Sequence, residues 1–282
     1  MFNNINIDLN LAIPLVKLAL LEDLSTGDIT TDSIITNDRT ASFLLHAKQN
    51  GIIAGLPILK IVFEQFNRPV DYNYFLNDGD FVLAGQNIIE IHAPLSTLLK
   101  AERTALNFLQ RMSGIATKTN EYVKILEPYA TKILDTRKTL PGFRLLDKYS
   151  VRIGGGCNHR FGLFDMVMIK DNHIKAAGSI TEAVKRVKTV LGNKFKIEVE
   201  TTSLIEVEEA LKSNADIIML DNMDNNLMQE AVYLINGKAI TEASGSITIE
   251  RLKNIGQIGV NYISVGALTH SVNALDISAN II

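Results

Sequence analysis

From residue 131 onward one pattern recurs: a short apolar, β-branched run ends in a polar residue and is followed by a segment of helical periodicity. The runs are TKILD (131–135), FDMVMIK (164–170), FKIEVE (195–200), ADIIMLD (215–221), KAITEAS (238–244) and VNYISVG (260–266). Amphipathic stretches such as SITEAVKRVKTVL and SLIEVEEALKSN lie between them. Ser179 with Glu182 and Ser203 with Glu206 mark two helix starts as capping boxes. Strands alternating with helices require right-handed crossovers and a parallel sheet, and six such runs predict an α/β barrel. A barrel of this kind carries its site at the C-terminal strand ends. Here those ends are Asp135, Lys170, Glu200, Asp221, Glu242 with Ser244, and Gly266.

The first hundred residues read differently. A short helix over 13–22 precedes strand-like pieces, ASFLLHAKQNGIIAG and YNYFLNDGDFVLAGQNIIEIHA, with turn signals at Asn50-Gly51 and Asp78-Gly79. They predict a small α+β domain over 1–110, joined through the long helical stretch 96–126 to a barrel over 111–270. The closing segment ALDISANII is too apolar for a free tail, so residues 271–282 are expected to pack back on the first domain.

A net charge of −3 argues against a general nucleic-acid or membrane-surface binder. The charge is unevenly spread: residues 132–175 hold nine Lys/Arg against four Asp/Glu. No run of about 18 apolar residues predicts a spanning helix. The polar start MFNNINIDLN lacks signal-peptide character, and the single Cys157 cannot form an internal disulfide, so a reducing, cytoplasmic setting is expected.

The basic island places Arg137 and Lys138 after Asp135, His159 and Arg160 after three glycines, and Lys170 at a strand end. Arginine's planar fork and lysine's point charge together suit a small polyanion. The glycines are read as a tight turn that aims His159 and Arg160 at this ligand. Glu200 and Asp221, at neighbouring strand ends, suit sugar hydroxyls or a partly hydrated Mg²⁺. The glycine-containing loops at 244–246 and 265–267 follow late barrel strands, where phosphate is commonly held. GGG at 154–156 does not have the spacing of a dinucleotide fingerprint. Cys157 with His159 is a poor nucleophile pair, and His159 with His173 lacks a third zinc ligand at suitable spacing. A Schiff-base role for Lys170 stays open as a rival, although it leaves the phosphate-type loops and arginines unemployed.

EDLSTGDITT (22–31), AERTALNFLQRMSGIAT (101–117), DTRKTLPGFR (135–144), RIGGGCNHR (152–160), MIKDNHI (168–174), EVE (198–200), MLDNM (219–223), EASGSI (242–247) and VGALTHS (265–271) together make the chain resemble the quinolinate phosphoribosyltransferase family almost end to end. Ser246 departs from the family, which more often carries glycine or asparagine there. The resemblance implies an open, incomplete α/β barrel with an N-terminal α+β sandwich. It also implies transfer of phosphoribosyl from 5-phosphoribosyl 1-diphosphate to quinolinate, giving nicotinate mononucleotide, diphosphate and CO₂. By the same resemblance Lys138, Lys170, Glu200 and Asp221 are catalytic, Arg137, Lys138, His159, Arg160 and Lys170 surround the acceptor, and Thr136 binds substrate. Ser244, Gly245, Ser246, Gly266 and Ala267 take the phosphate, and Mg²⁺ binds mainly through substrate near Glu200 and Asp221. The family works as a homodimer, in which Arg103 is expected to enter the partner subunit's site.

Overall fold

The structure, a computed structural model, describes residues 7–282; residues 1–6 of the polar N-terminal stretch lie outside the described residues. In chain order come α1 (Ile13–Leu24), α2 (Ile29–Ile34), β1 (Thr40–Ala47), β2 (Gly51–Ile52), α3 (Leu56–Glu64), β3 (Asp71–Tyr74), β4 (Phe81–Val82), β5 (Asn87–Pro94) and α4 (Leu95–Leu126). Beyond α4 the order is β6 (Lys132–Leu134), α5 (Arg144–Ile153), β7 (Val167–Ile169), α6 (Asp171–Ala177), α7 (Ile180–Leu191), β8 (Ile197–Thr201), α8 (Leu204–Lys212) and β9 (Ile217–Asp221). The chain ends with α9 (Asn225–Ile235), β10 (Ile240–Ser244), α10 (Ile249–Ile258), β11 (Tyr262–Ser264), α11 (Ala267–His270) and β12 (Ile277–Ile281).

Two compact units result. One comprises Glu121–Lys138 and Gly156–Gly266; the other comprises the described residues up to Asn120, Thr139–Gly155 and Ala267–Ile282. The N-terminal unit holds an antiparallel sheet in the order β12-β1-β5-β3 and a separate β2-β4 pair. Alternation along β1 buries Phe43, Leu45 and Ala47. The Asn50-Gly51 signal does not close a hairpin: β1 is eight residues long and pairs with the equally long β5, whereas β2 offers only two. Asp78, at the second turn signal, instead accepts the amides of Gly55 and Leu56 at 2.8 and 3.0 Å and so caps α3.

All six apolar runs of the C-terminal half form strands of one parallel sheet, ordered β6-β11-β10-β9-β8-β7. Ser179 and Ser203 cap α7 and α8 by accepting the amides of Glu182 and Glu206 at 3.1 and 3.3 Å. The barrel stays open because β6 and β7, its terminal strands, do not pair. A single parallel bridge, Leu134 to Cys157, continues the ladder on the free side of β6.

Candidate active site

Because the six strands are parallel, their C-terminal ends gather residues 135–138, Lys170, Glu200, Asp221, residues 244–246 and Gly266 on one face of the barrel unit. Of the other expected residues, Arg103 is exposed on α4 and Ala267 opens α11, both in the N-terminal unit. Side chains alternate along a strand, so Glu198 and Glu200 share one side of β8, and Glu242 and Ser244 share one side of β10. Glu198 and Glu242 both reach the same His159 nitrogen from strands separated by β9, which identifies that side as the interior. The site therefore has an upper polar layer at the strand ends and a second one beneath it.

In the upper layer, Lys170 Nζ donates to Glu200 Oε2. Lys170 is 43% exposed and held by a carboxylate, unlike the desolvated amine that a Schiff-base mechanism needs. Asp221 Oδ2 accepts from Asn222 Nδ2 at 2.7 Å. The Asn222 amide donates to Ser244 O at 2.9 Å, and its Oδ1 accepts from Ser246 Oγ at 3.3 Å. A Cβ at Gly245, where φ is +82°, would lie 2.4 Å from the Asn222 side chain, so only glycine fits there. Asn222 thus joins the Asp221 carboxylate to the 244–246 loop. Its position inside MLDNM was the available signal, and strand-end reasoning passed over it because it stops at the last strand residue.

On the cationic side, Thr136 and Arg137 are half-buried and Lys138 is exposed, with the Lys138 amide donating to Thr136 Oγ1 at 3.0 Å. Arg160 is buried; Nη1 donates to Met166 O at 3.1 Å and Nη2 contacts Met168 Sδ at 3.6 Å. Burial, and then the charge of Arg137, hold the Arg160 guanidinium below the usual arginine range, while Glu198 and Asp165 oppose them. Two guanidiniums whose charges act on one another suit an anion as their common partner.

His159 corrects the expectation that it faces the ligand. Its ring is buried, and Nε2 lies 3.1 Å from Glu198 and 3.5 Å from Glu242, both fully buried. The reason is local: Asp135 Oδ1 accepts the His159 amide at 2.8 Å and Oδ2 accepts Asn158 Nδ2 at 2.6 Å, which turns the ring inward beneath Arg160. Burial lowers the His159 pKa, but the charge of Glu242 and the contacts with both carboxylates outweigh it and raise it to about 10. Burial, and then the charge of Glu242, push Glu198 up to about 7. Nδ1 also accepts the Arg160 amide at 2.7 Å, which an imidazolium cannot do. In this geometry Nδ1 is committed as an acceptor, and the cluster is held through Nε2, the ring nitrogen that faces both carboxylates. His173 stays outside it, its Nδ1 accepting the Lys170 amide at 3.0 Å.

For a divalent cation the donor set is asymmetric. Glu200 is engaged by Lys170, whereas among the described residues no ion pair engages Asp221, whose hard oxygens fit a partly hydrated Mg²⁺. Among the described residues no helix is long and apolar enough to cross a membrane.

With this geometry in place, comparison with known proteins gives one answer along the chain. Residues 28–113 match the N-terminal domain, and residues 115–280 the C-terminal domain, of quinolinate phosphoribosyl transferase. A probable nicotinate-nucleotide pyrophosphorylase [carboxylating] of Bacillus subtilis (strain 168) is 47% identical over 261 residues, covering 93% of this chain and 90% of the relative. The mitochondrial quinolinate phosphoribosyltransferase [decarboxylating] 2b of Nicotiana tabacum is 48% identical over 285 residues, covering 94% and 81%. The crystal structure of NadC from Streptococcus pyogenes superposes with a TM-score of 0.94 at 39% identity, over 99% of this chain and 100% of that one. The chain belongs to the quinolinate phosphoribosyltransferase family.

Proposed function

We propose that the protein transfers phosphoribosyl from 5-phosphoribosyl 1-diphosphate to quinolinate, forming nicotinate mononucleotide, diphosphate and CO₂ in NAD biosynthesis. One observation carries this reading. A single barrel face sets a cationic half, Arg137 with Arg160, against an oxygen-rich half, Asp221 with the 244–246 loop, and the Lys170–Glu200 ion pair stands between them.

Quinolinate is a dianion, and Arg137, Lys138, Arg160 and Lys170 hold its two carboxylates. The donor's 5-phosphate lies on the loop of Ser244, Gly245 and Ser246 with Gly266 and Ala267, and its ribose hydroxyls lie near Glu200 and Asp221. As the bond from ribose C1 to diphosphate breaks, positive charge develops on that carbon, and the two carboxylates stabilise it. The pyridine nitrogen supplies the electron pair of the new C–N bond. The ring nitrogen, now cationic, stabilises the electron pair left on the ring when the adjacent carboxylate departs as CO₂, and a proton from solvent takes its place. No side chain becomes a covalent nucleophile, so orientation and electrostatics supply the rate. A magnesium ion, when bound, neutralises charge on the departing diphosphate; Asp221 is the residue fit to hold it.

The working form is a homodimer, with Arg103 completing the partner subunit's acceptor pocket. Leu18, Leu21, Ile29 and Ile34, left exposed on α1 and α2, support an apolar interface. A cytoplasmic location accords with a single cysteine, Cys157, which has no second cysteine in the chain to pair with.

The test is direct. Protein supplied with Mg²⁺, 5-phosphoribosyl 1-diphosphate and quinolinate should release CO₂ and nicotinate mononucleotide in equal amounts. Product from nicotinate and none from quinolinate would overturn the acceptor assignment.

A further inference from the structure

We propose that Glu198 and Glu242 are positioning residues for the acceptor: from the second layer of the barrel they hold His159 by Nε2 and so fix the 157–160 segment that presents Arg160 beside Arg137. The inference rests on the quinolinate reading of the site.

Both carboxylates are 0% exposed, each on an inward position of a central barrel strand. Burying a carboxylate is strongly unfavourable unless a partner offsets it, and an apolar side chain packs the same volume without that penalty. Met219, at the register position beside Glu242 on β9, is such a residue. The two glutamates therefore hold something through charge, and the group within their reach is the His159 ring, 3.1 and 3.5 Å away.

The backbone around the ring determines what holding it achieves. Every residue from 157 to 160 is fastened: Cys157 to Ile133 O at 2.8 Å, Asn158 and His159 to the Asp135 carboxylate at 2.6 and 2.8 Å, and the Arg160 amide to His159 Nδ1 at 2.7 Å. The His159 ring carries these ties on to β8 and β10. It thereby braces on β8 and β10 a segment that the strand ladder reaches only through the Leu134–Cys157 bridge to β6. The charge of Glu198 also favours the Arg160 guanidinium against the opposing charge of Arg137.

Glu198→Gln and Glu242→Gln preserve shape and remove charge. In each, the KM for quinolinate should rise by about tenfold or more, while the KM for 5-phosphoribosyl 1-diphosphate stays within about twofold, since misplacing a binding group penalises the ligand it positions. A purely structural role would lower the melting temperature and leave this selective split absent. If a glutamine variant does not fold, Glu242→Asp, which keeps the charge and withdraws it by one methylene, carries the same test. Folded variants with wild-type KM for quinolinate, or with a lower one through the more positive pocket alone, would overturn the positioning role. A wild-type protein that makes no product from quinolinate would instead overturn the functional reading.

Discussion

Ser246 shows how one backbone angle explains a departure that the sequence alone leaves bare. Its φ is +48°, in the left-handed region that costs an ordinary L-residue about 1 kcal/mol and that glycine and asparagine tolerate. Glycine or asparagine, more usual at this place in the family, answers that geometry. Ser246 is exposed, and its Oγ bond to Asn222 is long at 3.3 Å, so little else is lost on replacement. Ser246→Asn should therefore stabilise the protein by about 0.5–1 kcal/mol, read as a higher thermal midpoint. A lower midpoint would mean that the serine bond outweighs the strain. The legibility of other site residues divides along similar lines. Lys170, Glu200 and Asp221 stand out in the sequence because a charged residue closes an apolar run. His159 does not, since the spacing in CNHR says nothing about which way a ring turns once Asp135 has taken its amide. Glu198 was within reach: it stands two residues before Glu200, and a period of two places both on the same face of β8.

At the level of elements, the triple glycine changes meaning. Read as a string, it is a turn that aims His159 and Arg160 at a ligand; in the fold, its first two members end α5. Gly155 takes φ +91°, the left-handed conformation that stops a helix. Gly154 has an ordinary φ, and its constraint is space: a Cβ there would lie 2.4 Å from Ala116 O and 2.7 Å from Thr119 Cβ on α4. The two helices approach so closely that no side chain fits. Gly154→Ala must push α5 away from α4 and should cost about 1–3 kcal/mol, measured as a lower urea midpoint at unchanged m-value. An unshifted midpoint would show that the helices separate freely. Strands and helices of the barrel were legible because period and capping residues agree, as at Ser179 and Ser203. Pairing in the N-terminal sheet was not, because turn residues such as Asn50-Gly51 report a bend and not a partner.

For the whole molecule, linear order and spatial grouping diverge. The sequence pattern assigns 111–270 to the barrel, yet Thr139–Gly155 and Ala267–Ile282 group with the N-terminal unit. Leu146 is buried in that unit's core, with Phe143, Leu145, Tyr149 and Ile153 packed against it, and β12 adds an outer strand to β1. A helix inserted between two barrel strands looks like any crossover helix, so only its packing reveals the allegiance. The apolar C-terminal segment was more transparent, because a free tail has no reason to spend Leu275 and Ile277, both buried in the fold. The same division frames the strongest test of assembly. Arg103 belongs to the N-terminal unit and is exposed there, whereas Lys170 belongs to the barrel unit. If each site combines one subunit's barrel with Arg103 of its partner, an Arg103→Ala and a Lys170→Ala subunit in one dimer leave one site with both defects and the other with neither. Separately, each variant should be nearly inactive. Mixed in equal amounts and allowed to exchange, about half the dimers become hybrids and activity should return to about a quarter of wild type, as two-fold symmetry requires. Exchange can be verified by native mass spectrometry with subunits of distinct mass. Hybrids that form and stay inactive would place Arg103 and Lys170 in the service of the same subunit's site.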